Sequence, residues 1–284
     1  MPETAKYLNL GCGSRYHPAW TNIDIVARGP EVLQHDVRRG IPLPDASCAV
    51  VYHTAVLEHL RRAEALSFMR ECCRVLQPGG IVRVGVPDLE QLCLLYLEKL
   101  RAAMAGDVAA AADYEWIMLE LYDQVARERS GGDMLAYLRQ VPLPNEAFVF
   151  ARIGEEGRQI VERVRHPASP TSPPPPPSSL FTIWRRRLRR LPATLKARLL
   201  KLWLGAEGLQ ALEIGRFRLG GEAHQWMYDR YSLARLLMQA GFQDPQVQSA
   251  HISQIPNWTS FQLDTLPDGQ IIKPDLFFME ARKP

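Results

Sequence analysis

Residues 74–86 read RVLQPGGIVRVGV, and the fold turns on how this stretch is read. Its first residues close a helical pattern. Leu66, Met69, Cys73 and Leu76 recur at intervals of three and four, the spacing of one helix face. Gln77-Pro78-Gly79-Gly80 then stops the helix, because glycine suits a left-handed cap and proline cannot continue the ladder. Ile81 to Val86 follows as an apolar strand ended by Pro87-Asp88. A helix that delivers the chain into a strand is half of a strand–crossover–strand unit.

Upstream, Cys48 to His53 (CAVVYH) is a near-continuous apolar run, the kind buried on both faces of a parallel sheet. Shorter strands are expected at Tyr7–Leu10, Thr21–Val26 and Glu31–Asp36. Downstream, residues 89–138 carry helical patterning with an alanine-rich stretch around Ala102 to Ala112. Ser232 to Ala240 reads as a helix closed by Gly241, with closing strands expected at Val247–Ser253 and Leu276–Glu280. The expected class is α/β, a doubly wound, mostly parallel sheet with a helical insertion.

The 284 residues are 46% hydrophobic and 23% charged, a folded rather than a disordered profile. No stretch approaches the roughly 18 uncharged apolar residues of a membrane span, and the apolar segment after Met1–Lys6 is too short for a signal peptide. The cysteines are Cys12, Cys48, Cys72, Cys73 and Cys93. Their odd number and the lack of CxxC argue against a disulfide scaffold or a structural zinc site, and for a reduced, cytoplasmic chain.

The formal charge of +3 is unevenly spread: Arg185 to Lys201 holds eight basic residues and no acid, which leaves −5 for the rest. A nucleic-acid partner is therefore not expected for the body of the protein. Trp184, Leu188, Leu191, Leu195, Leu199 and Leu202 give the basic segment one apolar face, with Pro192 a kink point. Packing on the body, peripheral contact with an inner membrane surface through residues 180–204, and a local polyanion partner are the open readings of this segment. The expected organisation is a cofactor-binding half at 1–90, a helical cap at 91–165, a proline-rich linker at 166–179 (HPASPTSPPPPPSS within it), the basic segment at 180–221 and a closing part at 222–284.

Four motifs carry the chemistry. Tyr7–Leu10 runs into Gly11-Cys12-Gly13, where missing side chains let backbone approach a ligand. Asp24 falls at the end of the second strand, where an acid can accept hydrogen bonds from ribose hydroxyls. His35-Asp36-Val37 ends the third strand, and an acid there can accept from an adenine amino group. Val51 to Leu60 (VYHTAVLEHL) ends the fourth, and RVLQPGG follows. The 13 residues from Gly11 to Asp24 are fewer than the roughly 20 of a dinucleotide fingerprint, and Tyr16 stands where its third glycine would be. A nicotinamide or flavin enzyme is disfavoured.

In this order and spacing the motifs resemble those of class I S-adenosylmethionine-dependent methyltransferases, most closely the small-molecule group with LxxGCG, VLEH and RVLxPGG segments. The resemblance covers residues 6 to about 90, and weakly the stretch from Ala223 to Phe242. It implies a seven-stranded sheet with one antiparallel strand, and S-adenosyl-L-methionine as cofactor. It also implies that Gly11, Cys12 and Gly13 line the methionine and ribose, that Asp24 holds the ribose hydroxyls, that Asp36 and Val37 flank the adenine, and that His53 and Thr54 face the sulfonium. Asn9 occupies the place of the usual acid before the loop, and Arg15, Tyr16 and His17 are expected near the pocket because the loop is short. The implied function is transfer of a methyl group to a small-molecule, glycan or lipid-linked acceptor, with a methyltransferase-like binding or scaffold protein as the alternative.

His53 and His224 are the candidate bases, with Tyr228 a weaker one. Metal-dependent relatives of this pattern add a glutamate three residues before the Glu of Glu-His. Here that place is Ala55, so no metal is expected, and Glu58 and His59 are read as bracing the next helix. The acceptor site is expected at the carboxyl edge of the sheet, under the insertion and around His224 to Tyr228, with Tyr114, Trp116, Tyr122, Trp226, Tyr228 and Tyr231 as candidate contacts.

Overall fold

The structure, a computed structural model, describes residues 6–166 and 193–284, with side chains of the latter part described from 203 onward. Apart from His166, the linker expected at 166–179, the first part of the basic segment and the apolar face from Trp184 to Leu202 lie outside the described residues and side chains. Seven strands form one sheet: β1 (Lys6–Leu10), β2 (Thr21–Asp24), β3 (Val32–Gln34), β4 (Cys48–Thr54), β5 (Leu76–Pro87), β6 (Gln243–Gln248) and β7 (Leu276–Arg282). Their order is β3-β2-β1-β4-β5-β7-β6. The pairs from β3 to β5 are parallel, and β7 runs antiparallel to both of its neighbours. This is the expected mostly parallel sheet with one reversed strand.

The two central strands are the ones whose apolar runs were longest. Val50 to His53 of β4 and Ile81 to Pro87 of β5 are buried, as strands flanked on both sides and covered on both faces must be. Helix α1 (Arg62–Val75) connects them. It starts with Glu64 reaching back to the Arg61 N–H (3.0 Å) and buries Phe68, Met69, Cys72 and Val75 on the sheet. The turn after it departs from the expected left-handed cap. Leu76 is already extended, and Gln77–Gly80 lie inside β5. Gly79 is the residue with positive φ (+76°), its N–H donates to Lys283 O (2.9 Å), and the register against β4 shifts between Cys48 and Val50. The PGG segment thus forms an irregularity at the strand's start rather than the helix's end.

The second and third strands are shorter than expected. At β2 the Asp24 carboxylate accepts from the Val26 N–H (2.8 Å), which turns the chain out of the sheet. The ten residues between β1 and β2 and the seven between β2 and β3 hold no helix. Helix α1 packs beside the last helix on one face, over a core that includes Leu8, Leu10, Val51, Val84, Leu233 and Leu237. The opposite face is covered by Trp20 from the β1–β2 loop and by Ile255, Trp258 and Leu263 from the β6–β7 loop. Arg83, fully buried in β5, fixes that loop with an ion pair to Asp264 (2.8 Å) and by stacking on Trp258, and pairs with Glu280 of the neighbouring β7 (2.7 Å).

The insertion after β5 contains α2 (Leu89–Met104), α3 (Val108–Met118), which continues through a π-helical turn at Leu119–Asp123, then α4 (Gly132–Leu138) and α5 (Glu146–Arg165). It has its own core of Trp116, Leu138, Leu143, Val149 and Val161. A buried pair, Arg152 to Glu120 (2.6 Å), ties α5 to the π turn, and Arg152 also reaches Gln91 of α2 (2.5 Å). Helix α6 (Ala193–Leu219) is interrupted at Gly205, and α7 (Arg230–Gln239) begins on an Asp229–Ser232 capping pair. The salt bridge from Arg230 to Asp88 (2.9 Å) joins α7 to the end of β5.

Candidate active site

Strand register brings the sequence motifs to one edge. Leu10 pairs with Ile23 and with His53, and Asp24 pairs with Gln34, so the residues after β1, β2, β3 and β4 emerge side by side at the carboxyl ends of parallel strands. Ligands in open α/β sheets bind there. Gly11 and Gly13 both have positive φ (+63° and +54°). A Cβ at Gly11 would collide with Val56, whereas the space over Gly13 is open. The Gly13 N–H donates to Asp24 Oδ2 (2.8 Å), so the glycine loop and the acid are one unit. Each Asp24 oxygen already accepts one backbone N–H and keeps a second lone pair for a ligand hydroxyl.

Cys12 is buried beside this acid. Burial, followed by the charge of Asp24, pushes its thiol up to about 11. Asn9 does not point to a ligand: its amide donates to Arg15 O (3.1 Å) and to Asn22 Oδ1 (3.2 Å) and so holds the short loop. His17 stacks on Phe261 (5.2 Å), on the aromatic face. Asp36 is engaged by both nitrogens of the Arg38 fork (2.9 Å each), and that hydrogen bonding holds its carboxyl below the usual range. Beside it a cleft of about 350 Å³ is lined by Val37, Leu60, Ser67 and Phe68.

His53 is fully enclosed, its ring against Phe68 (5.1 Å) and neither nitrogen partnered. Burial lowers its pKa to about 3, so it is neutral and has no contact with water. The expected base at this position is therefore a packed side chain. Thr54 follows it, half-buried at the strand end.

A second group of residues meets one turn further along. The segment after β4 forms a 3₁₀ turn at Leu57–His59, and the Glu58 carbonyl accepts from the N–H groups of Gln225 (2.7 Å) and Trp226 (3.2 Å). These bonds fix the His224 segment on the Glu58 turn, and the His59 and His224 rings lie 4.8 Å apart, edge to face. Both rings line a cavity of about 280 Å³ with Arg127, Leu138, Lys273 and Asp275, among others, between the sheet edge and helices α4 and α5. Burial lowers His59 to about 4 and His224 to about 2, keeping both neutral. Burial raises Glu58 to about 7, and raises Asp275 to about 6 with help from the charge of Glu120. Tyr228 is buried with an unpartnered hydroxyl.

His224 thus lies where the sequence placed it, at the sheet edge beneath the insertion. The aromatic candidates are dispersed. Trp116 is buried and donates to Glu120 (2.5 Å), Tyr114 stacks on Tyr96, and Trp226 lies under Arg62. Tyr122 and Tyr231 are exposed, and none of the six lines the His59–His224 cavity. The sequence reading missed the meeting of Glu58 and His59 with His224, and the parts of Lys273 and Asp275. The only signal was the polar pair Glu58-His59 directly after a buried strand.

The strand order, the reversed seventh strand and a glycine loop joined to an acid on the next strand define a class I methyltransferase fold. The methyltransferase-domain family matches residues 8–84, the stretch that holds the glycine loop, Asp24 and the strands β1 to β4. A protein of Mycolicibacterium smegmatis described as a probable S-adenosylmethionine-dependent methyltransferase is 46% identical over 66 residues, 22% of this chain and 24% of that one. A Mycobacterium tuberculosis protein of the same description is 43% identical over 58 residues, 20% of each chain. The matched stretch thus spans about a quarter or less of those relatives. Among solved structures, a methyltransferase from Thermotoga maritima aligns over 100% of this chain and 84% of its own, at 11% identity and a TM-score of 0.38. One from Mesorhizobium loti aligns over 100% and 94%, at 13% identity and a TM-score of 0.35. No helix among the described residues is long and apolar enough to cross a membrane.

Proposed function

We propose that the protein is an S-adenosylmethionine-dependent methyltransferase that moves a methyl group to a small-molecule, glycan or lipid-linked acceptor. The carrying observation is that the Gly11–Gly13/Asp24 unit and the His59–His224 cavity share one sheet edge, four residues of chain separating Thr54 from His59. The first has the features a nucleoside needs, namely open space over Gly13 and an acid with free lone pairs. The second has room for an acceptor.

When bound, S-adenosylmethionine supplies a methyl group on a sulfonium. The protein's own part is to hold both partners in line, the largest contribution available to a reaction whose carbon is already activated. Asp24 holds the ribose, and Val37 with the cleft beside it receives the adenine. Arg38, forked onto Asp36, fixes that strand end. His224, neutral and facing the cavity, fixes the acceptor's polar atom.

The test is His224→Ala, read by affinity for S-adenosylhomocysteine and by turnover in an acceptor screen. Retained affinity with lost turnover supports the acceptor's place. Unchanged turnover removes His224 from it. Cofactor affinity without turnover of any acceptor in the wild-type protein would favour the binding or scaffold alternative.

A further inference from the structure

We infer that Glu58, His59 and His224 form a binding site for a first-row divalent cation of the zinc type, with an open coordination position facing the 280 Å³ cavity. One carboxylate oxygen and one nitrogen from each imidazole lie within 4.8 Å of one another. Two histidines and a carboxylate are a donor set that takes zinc with a fourth position left free. In a tetrahedral site with metal–nitrogen bonds of about 2.0–2.1 Å the ligand atoms stand about 3.3 Å apart, so closure asks each side chain to move by about an ångström.

Two further observations point to a ligand. Glu58 is 1% exposed and its Oε2 has no hydrogen-bond partner, and the buried Nδ1 of His59 has none either. Unpaired buried polar atoms cost free energy that a bound cation would offset. The local charges also permit a cation. Of the two positive side chains lining the cavity, Lys273 is paired with Glu156 (2.7 Å) and Arg127 with Asp123 (2.7 Å) and Glu222 (3.5 Å). Asp275 adds an acid to the same lining. The bonds from the Gln225 and Trp226 N–H groups to the Glu58 carbonyl lock the His224 segment against the Glu58 turn, which sets the ligands in place without a metal.

Ala55 does not bear on this arrangement. The third ligand comes from His224, far along the chain, and was not visible in the local spacing around Glu58. Placement of an acceptor oxygen or nitrogen at the open position rests on the functional reading above, whereas metal uptake stands independently of it.

The experiment uses the full chain stripped with a chelator. Zinc is titrated by calorimetry, and cobalt(II) by its visible absorption. The expected result is one equivalent of either metal, with the strong visible bands of four-coordinate cobalt on nitrogen and oxygen ligands and without thiolate charge-transfer bands. His59→Ala and His224→Gln should each weaken uptake on the order of a hundredfold, while affinity for S-adenosylhomocysteine stays within about twofold of wild type. Absence of stoichiometric uptake by wild type overturns the inference, as do thiolate bands or uptake unchanged in both variants. The wild-type spectrum decides even where a variant fails to fold. Failed uptake with intact S-adenosylhomocysteine binding leaves the methyltransferase reading standing, and the reverse outcome removes that reading alone.

Discussion

Asp24→Ala separates what this carboxylate does for the fold from what it does for a nucleoside. In the free protein each oxygen accepts one backbone N–H at 2.8 Å, from Gly13 and Val26. Net contributions of about 0.5–1.5 kcal/mol per hydrogen bond give a stability loss of about 1–3 kcal/mol, moderated because the site is half-buried and water can replace the acceptor. Hydrogen bonds from ribose hydroxyls to a charged acceptor are worth about 1.5–3 kcal/mol, which corresponds to roughly a 10- to 150-fold weaker Kd. Urea unfolding gives the first quantity, and calorimetric titration of the folded variant with S-adenosylhomocysteine gives the second. A variant that loses stability but keeps wild-type affinity would show that Asp24 is only a loop anchor, and would refute the ribose assignment. Loss of affinity beyond that range would mean that the Gly13 loop itself has come apart.

The two loop glycines should respond differently to alanine. Both replacements put a Cβ on a left-handed backbone, which costs about 1–2 kcal/mol each; Gly11→Ala also sets that Cβ against Val56 and should lose clearly more stability, whereas Gly13→Ala meets open space, so its stability loss should stay at the backbone cost and be joined by a loss of cofactor affinity. Equal stability losses measured by urea unfolding would contradict the difference in packing. Cys12, raised to about 11 and buried, should carry about a thousandth of its population as thiolate at pH 8, and only a rise in pH toward 11 should expose it as a nucleophile. Iodoacetamide followed by peptide mass spectrometry should therefore label the exposed Cys93 at least about a hundredfold faster. Comparable rates at the two sites would show that the Cys12 loop opens freely.

The legible parts of the fold were those where one physical demand dominates. CAVVYH and IVRVGV announced central strands because burial on both faces demands mostly apolar residues, with His53 and the paired Arg83 the exceptions, and the ends of the parallel strands β1 to β4 then placed Gly11, Asp24, Asp36 and Thr54 on one edge. Chain ends and turns were less legible. Gly79 signalled a left-handed residue, yet the sequence could not distinguish a helix cap from an irregularity in β5 pinned by Lys283. The β2 strand stopped early because Asp24 captured the Val26 N–H, a side-chain competition that strand propensity does not encode. Trp116 was one of the candidate acceptor contacts and became the centre of the insertion's own core, because helices α3 to α5 bury one another. His224 was singled out from its local motif. Its meeting with Glu58 and His59 depends on how the segment before α7 crosses the end of β4, a tertiary fact without a local pattern.

The most direct measurement is a crystal structure of the full chain with S-adenosylhomocysteine. The predicted result places the ribose hydroxyls within hydrogen-bond distance of Asp24, the adenosyl group against Gly11–Gly13 and Val37, and the sulfur turned toward the cavity of His59 and His224. A ligand bound away from that edge, or no binding at millimolar concentration, would contradict the assignment of the cofactor site and with it the methyltransferase function.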